Sequence, residues 1–328
     1  MRQLLRTAFE RPEDKIDVPG VAELIRALKA AAERHGRPAF VYFLSASPPQ
    51  IGRAIREKLR LDGVPYDGIV FKDQLAHLRR GKLRNLREHV GFKLIELLRG
   101  RLDAAPEARE LLFGDDWESD SLIYSLYADV LAGRLPGGRL EPILQRIRVD
   151  PGLVKDVVAL AARAAGQDAV ARIFINLERR SPPGIFRLFG PRVVPTFNYF
   201  QTAAVLAADG FLAADDVARV GGVLVERAGY SARRLENSLD DLVRRAHLLP
   251  ADVERLARVL RDAGVLPPAP RPGRWRRVVS AVRGLRRGRP KGVTAAPVVA
   301  AAIDYDAILD RLHAPAATVE EARRGRGR

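Results

Sequence analysis

The chain has 328 residues, 47% of them apolar and 29% charged, which is enough for one or two globular domains with a sizeable core. Its 56 basic and 40 acidic residues give a net charge of +16, and 48 of the basic residues are arginine, so anionic partners such as phosphorylated substrates, lipid headgroups or nucleic acid are favoured. Cysteine is absent and the five histidines show no HxxxH or HExxH spacing, which excludes disulfides, thiol catalysis, cysteine-ligated metal and the common histidine metal motifs. Charge interrupts the first ten residues too early for a signal peptide. The longest uncharged run, residues 193–208, contains Asn198 and Gln201 and is too short and polar to span a bilayer. A cytoplasmic location is expected.

Residues 21–34 place Val21, Leu24, Ile25 and Leu28 at helical spacing behind a Pro-Gly start signal. Residues 39–44 (AFVYFL) form a continuous apolar run, as expected of a strand buried on both faces. A helix follows Pro48 and Pro49, with Ile51, Ile55 and Leu59 on one side. A second short strand is predicted over 68–71, a helix over 83–98, a third strand over 111–113 and a helix over 122–131. Alternation of this kind with short connections means parallel strands joined by right-handed crossovers, in a Rossmann-like α/β arrangement. Such sheets collect their chemistry at the carboxyl ends of the strands. Here those ends read Ser45-Ala46-Ser47-Pro48, Lys72-Asp73 and Gly114-Asp115-Asp116.

The Gly-rich stretch 133–138 breaks the pattern and sets a boundary, giving an α/β domain over residues 1–135. No further strands are expected from Glu141 to Leu266, so residues 136–266 read as an all-α domain, with the aromatic stretch from Phe174 to Phe200 as its core. A weak internal repeat relates residues 216–224 to 252–260. Residues 267–328 hold 14 basic and five acidic groups among Pro, Gly and Ala, and read as a largely disordered basic tail.

The tail contains one patterned segment, 273–289. Trp275, Val278, Val279, Val282 and Leu285 recur at helical spacing there, with Arg276, Arg277, Arg283, Arg286 and Arg287 between them. A basic amphipathic segment with a tryptophan suits peripheral contact with an anionic membrane, on its inner surface. A solvated basic linker fits the same residues, given Gly284 and Gly288. Nucleic acid ranks third, because the charge comes with no stacking platform or recognition module.

Several polar clusters carry a further pattern. Phe43-Leu44-Ser45-Ala46-Ser47-Pro48, Phe71-Lys72-Asp73, the helix segment Phe92-Lys93-Leu94-Ile95-Glu96, and Phe113-Gly114-Asp115-Asp116-Trp117-Glu118-Ser119-Asp120 with Ile123-Tyr124 after it occur in this order. Together they resemble the catalytic domain of actin-patch-type phosphatidate phosphatases, relatives of the lipins within the haloacid dehalogenase superfamily. The resemblance covers about residues 1–132. It implies a magnesium-dependent phosphatase acting on a phosphomonoester, with phosphatidate as substrate. Ser45 would donate its hydroxyl to the phosphoryl group, Lys93 would neutralise phosphate and nucleophile, and Asp115 and Asp120 would hold magnesium, a hard cation suited to carboxylate oxygen. Asp116, Ser47, Lys72 and Asp73 would be additional site residues.

Simpler readings exist for the same residues. Ser45 and Ser47 could cap a helix, the Asp115–Asp120 cluster could complement a helix dipole, and Lys93 could be a solvated helix lysine. One departure stands out. The resembled family opens with a strand ending Asp-x-Asp-x-Thr, which carries the nucleophile and the general acid. Residues 1–19 offer only Asp14 and Asp17, at the wrong spacing and behind a helix-like or loop-like segment. A start placed too late, a truncated chain or a pseudoenzyme would each explain this. Because a sheet without its first strand lacks a central member, a missing N-terminal segment is the favoured expectation. The competing class is a catalytically inactive phosphate- and lipid-binding module recruited to anionic membranes.

Overall fold

The computed structural model describes residues 18–45, 49–71, 82–117, 119–269 and 302–313. In chain order the elements are α1 (Val21–Arg34), β1 (Tyr42–Ser45), a short 3-10 turn (Pro49–Ile51), α2 (Gly52–Leu61), β2 (Gly68–Phe71), α3 (Lys82–Asp103), β3 (Glu110–Asp115) and α4 (Asp120–Leu131). Then come α5 (Gly137–Ile147), α6 (Pro151–Ala164), β4 (Val170–Asn176), a 3-10 segment (Pro183–Phe189) and β5 (Val193–Thr196). Helices α7 (Tyr199–Ala208), α8 (Ala214–Ala228), α9 (Ala232–Arg244), α10 (Pro250–Asp262) and α11 (Tyr305–His313) complete the order. The chain divides into two compact units, one of Met1–Gln74 with Thr196–Val299 and the other of Leu75–Pro195 with Ala300–Arg328.

In the first unit, α1 begins at Gly20, where φ is +89° and an added Cβ would lie 2.6 Å from Leu224 Cδ1. Conformation and space both require glycine there. Leu24, Ala27 and Ala31 form the buried face of α1, at the spacing that brings successive helical turns to one side. Its outer edge is tied to α8 by ion pairs from Arg34 to Asp216 (2.6 Å) and from Arg219 to Glu23 (3.4 Å). The sequence repeat has a structural meaning. Asp216 accepts the Ala213 N–H and Asp252 accepts the Leu249 N–H, each at 2.8 Å, and each aspartate also pairs with an arginine three residues on. Both copies therefore start a helix by the same capping device.

Strands β1 and β2 pair in parallel, Tyr42 opposite Gly68 and Ser45 opposite Phe71. The expectation of a strand buried on both faces is corrected here. Tyr42 is 68% exposed, and no residue of either strand is buried. Among the described residues this sheet has two strands, too few neighbours to cover both faces.

The second unit holds a three-stranded sheet in the order β3-β4-β5, with β3 and β4 parallel and Phe113 opposite Phe174. The expectation of no strand between Glu141 and Leu266 is corrected by β4 and β5. Strand β4 reads Val-Ala-Arg-Ile-Phe-Ile-Asn, a short β-branched and aromatic run hidden among Ala- and Arg-rich helices. The aromatic stretch is correspondingly split. Phe174, Phe186 and Phe189 are buried on a strand and a 3-10 segment, while Phe197 stays 42% exposed. Leu94, Leu98, Ile123, Leu126, Leu144, Val157, Ile173 and Ile175 belong to one continuous core of this unit. Helix α11, within the stretch read as tail, joins that core. Its Tyr305 is 4% exposed and donates its hydroxyl to Asp129 at 2.7 Å, while Arg146 pairs with Asp306 and Asp310.

Candidate functional site

Strand β3 delivers Asp115 to its carboxyl end, and the next turn leads into α4, which begins with Asp120. The two ends are locked by Asp120. One of its carboxylate oxygens accepts from Lys93 Nζ at 2.5 Å, and the other accepts the Asp115 N–H at 3.3 Å. The Lys93 and Asp120 side chains are only 5% and 7% exposed. A buried charge persists only where it is paired and hydrogen-bonded, and this pair meets both conditions. Gly114 makes room for it, since a Cβ at that position would lie 2.5 Å from both Cβ and Oδ2 of Asp120. The Gly-Asp spacing of the sequence is thus a packing requirement. Tyr124, one turn into α4, closes the same end by donating its hydroxyl to the Phe113 carbonyl at 3.2 Å.

The aspartates after β3 have distinct tasks. Asp115 Oδ1 accepts the Trp117 N–H at 2.8 Å. Asp116 accepts N–H groups from Arg179 (2.8 Å) and Ser181 (3.0 Å), so it fastens the loop that follows β4. Partial burial works against the charged form of Asp116, but these donors outweigh it and hold the carboxyl below its usual range. Opposite Asp115 in the sheet register stands Asn176, whose side-chain N–H reaches Glu178 at 3.4 Å. Loss of hydration raises the Glu178 carboxyl and the negative charge of Asp115 adds to it, against hydrogen bonds from Asn176 and Trp117. The end of the β3–β4 pair is therefore a concentration of negative oxygen ligands backed by one buried ammonium.

The structure brings Lys93, Asp115, Asp116 and Asp120 together. Ser45 ends β1 in the first unit, opposite Phe71. Helix α2 starts from Ile51 without a side-chain cap. Lys93 is not a solvated helix lysine, and each aspartate of the cluster carries a hydrogen bond beyond any helix-dipole role. Ser47, Lys72 and Asp73 lie outside the described residues, as does the 273–289 segment with Trp275, Arg276, Arg277, Arg283, Arg286 and Arg287. Sequence reasoning missed Asn176 and Glu178. The signal was the apolar run 173–175 ending in Asn-Leu-Glu, which marks a strand terminus once β4 is recognised.

Among the described residues no group of three or more His, Asp or Glu is arranged to hold a metal ion. A hard divalent cation such as magnesium needs fewer, because it keeps several waters and takes one or two carboxylates. Asp115 and Glu178 carry carboxylate oxygens, the donor type such a cation takes. Asp120 is engaged on both oxygens by Lys93 and the Asp115 N–H.

Residues 1–136 match the family model of the catalytic domain of phosphatidate phosphatase APP1. The matched segment contains β1, β2, β3, the Lys93–Asp120 pair and the Gly114-Asp115 turn, so the family resemblance carried by the motifs and the match cover the same stretch. No curated protein and no solved structure matches the chain.

Proposed function

We propose that this chain handles a lipid phosphomonoester, phosphatidate, as a magnesium-dependent phosphatase of the APP1 type. The observation that carries the reading is the buried Lys93–Asp120 pair beneath Gly114-Asp115, within the segment that matches the phosphatase family. Phosphoryl transfer asks a protein mainly for positioning and charge stabilisation. Lys93 keeps a fixed positive charge at the end of β3, and Asp120 holds that ammonium and the Asp115 backbone in register. Magnesium, held by Asp115 with Glu178 as a second oxygen ligand, would neutralise charge on the phosphoryl oxygens when bound.

A second reading is favoured by the net charge of +16 and by the pattern of Trp275 and arginines in residues 273–289. On this reading the chain is a phosphate- and lipid-binding module without turnover, recruited to anionic membranes through Trp275 and the arginines around it. Phosphate release from a short-chain phosphatidate, measured with magnesium and with chelator, separates the two. Magnesium-dependent release that Asp115→Asn abolishes supports the phosphatase. Binding without release supports the module, and neither binding nor release overturns both.

A further inference from the structure

Lys93, Asp115 and Asp120 sit on three different elements, α3, β3 and α4, so their meeting depends on how those elements are held against one another. The far end of the same three elements carries a second lock, built on two buried side chains, Arg101 and Tyr127. Arg101, on α3, donates through Nη2 to the carbonyls of Ala105 (3.0 Å) and Pro106 (2.7 Å), and through Nη1 to that of Ala108 (3.0 Å). Nη1 also meets Glu110, the first residue of β3, at 3.2 Å. Nη2 reaches the Gln167 side chain, just ahead of β4, at 3.0 Å. The other Glu110 oxygen accepts the hydroxyl of Tyr127, on α4, at 2.7 Å. Burial and the charge of Glu110 push that hydroxyl well above its usual range, so it stays a donor.

The place of Glu110 in the sheet gives this lock a consequence. Glu110 stands opposite Val170, but the next residue, Leu111, stands opposite Arg172, so β4 carries one extra residue at this step. The ladder is interrupted at such a bulge, and a one-residue slip would turn each later side chain of β3 to the other face. Beyond it the register runs unbroken to Asp115 opposite Asn176. We infer that Arg101, Glu110 and Tyr127 are positioning residues for the phosphate site. They fix where β3 starts against α3 and α4, and so where Asp115 meets Asp120 and Lys93. They lie at the opposite end of β3 from Asp115 and act through it. A network that only added stability could join any elements, whereas this one joins the three that carry the site. The inference rests on the phosphatase reading for its purpose and on the bonds of Glu110 for its evidence.

Tyr127→Phe in the full chain keeps the ring and removes one bond to Glu110. Glu110→Gln removes the charge facing Arg101 with little change of shape. Ile143→Val, on α5, takes a methyl group from the same core outside the lock and serves as the control for a comparable loss of stability. The readout is the amide resonances of Gly114, Asp115 and Trp117 in the nitrogen-labelled full chain, which report folded geometry rather than stability. All three are expected to move in Tyr127→Phe and Glu110→Gln and to stay at the parent positions in Ile143→Val. Turnover of a short-chain phosphatidate at saturating substrate should fall at least about tenfold in Tyr127→Phe, because small misplacements of reacting groups are costly. Unmoved resonances in both lock variants, or an equal displacement in Ile143→Val, would overturn the inference. A parent chain that releases no phosphate, with the resonances displaced as expected, would overturn the phosphatase reading and support the positioning role.

Discussion

The Lys93 ammonium and the Asp120 carboxylate meet at 2.5 Å, on two different helices, with both side chains more than nine-tenths buried. Removing one partner strands the other charge in the interior. Lys93→Met should therefore cost about 3–5 kcal/mol of stability, and replacing both residues by apolar ones of similar size should recover much of it. Urea unfolding of the single and double variants checks this. Equal losses in single and double variants would show that the pairing is not what matters.

A methyl group at Gly114 has nowhere to go, with Asp120 Cβ and Oδ2 each 2.5 Å from the Cβ position. Gly114→Ala should lower stability by roughly 1–3 kcal/mol through overpacking. It should also push Asp120 away from Lys93, which the same unfolding measurement in a Lys93→Met background would reveal as non-additivity.

The C-terminal helix α11 is held by a buried tyrosine. Tyr305→Phe leaves the ring in place but removes the donor to Asp129, and should cost about 1–3 kcal/mol. Thermal unfolding followed by circular dichroism reads the loss. An unchanged midpoint would mean that the hydroxyl contributes nothing net.

Acid stability has an identifiable contributor in Asp241. Burial raises its carboxyl, but hydrogen bonds and charge from Arg245, with Gln201 and Arg244, outweigh this and hold it below its usual value. A carboxyl depressed in the folded state adds stability above its unfolded pKa of about 3.9 and loses it as pH falls through the lower folded value. Asp241→Asn should thus be less stable than the parent at pH 7, and the gap should narrow as pH falls below about 4. A gap independent of pH would contradict the assignment.

Much of this was legible in the sequence, for physical reasons that also explain what was not. The amphipathic pattern of residues 21–34 and the apolar run 111–113 predict α1 and β3 because burial on one face or in a sheet leaves a periodic trace. The Gly114-Asp115 turn and Asp120 were visible as a cluster denser than capping needs. Strand β4 was not visible, because an apolar run of strand length reads equally as buried helix. Missing it hid Asn176 and Glu178, which join the site only through the pairing of Asp115 with Asn176. The exposure of β1 was equally unreadable, since an apolar strand does not record how many neighbours its sheet has. The docking of Tyr305 depends on contacts with Asp129, 176 residues earlier in the chain, which no local pattern reports.

The Asp115 end of β3 is proposed to bind a phosphomonoester together with magnesium. Titration calorimetry of a water-soluble phosphatidate into the full chain, with magnesium present and with chelator, tests it directly. Binding that requires magnesium and falls at least about tenfold in Asp115→Asn is expected. Binding that is equally strong without magnesium, or unchanged in Asp115→Asn, would contradict it.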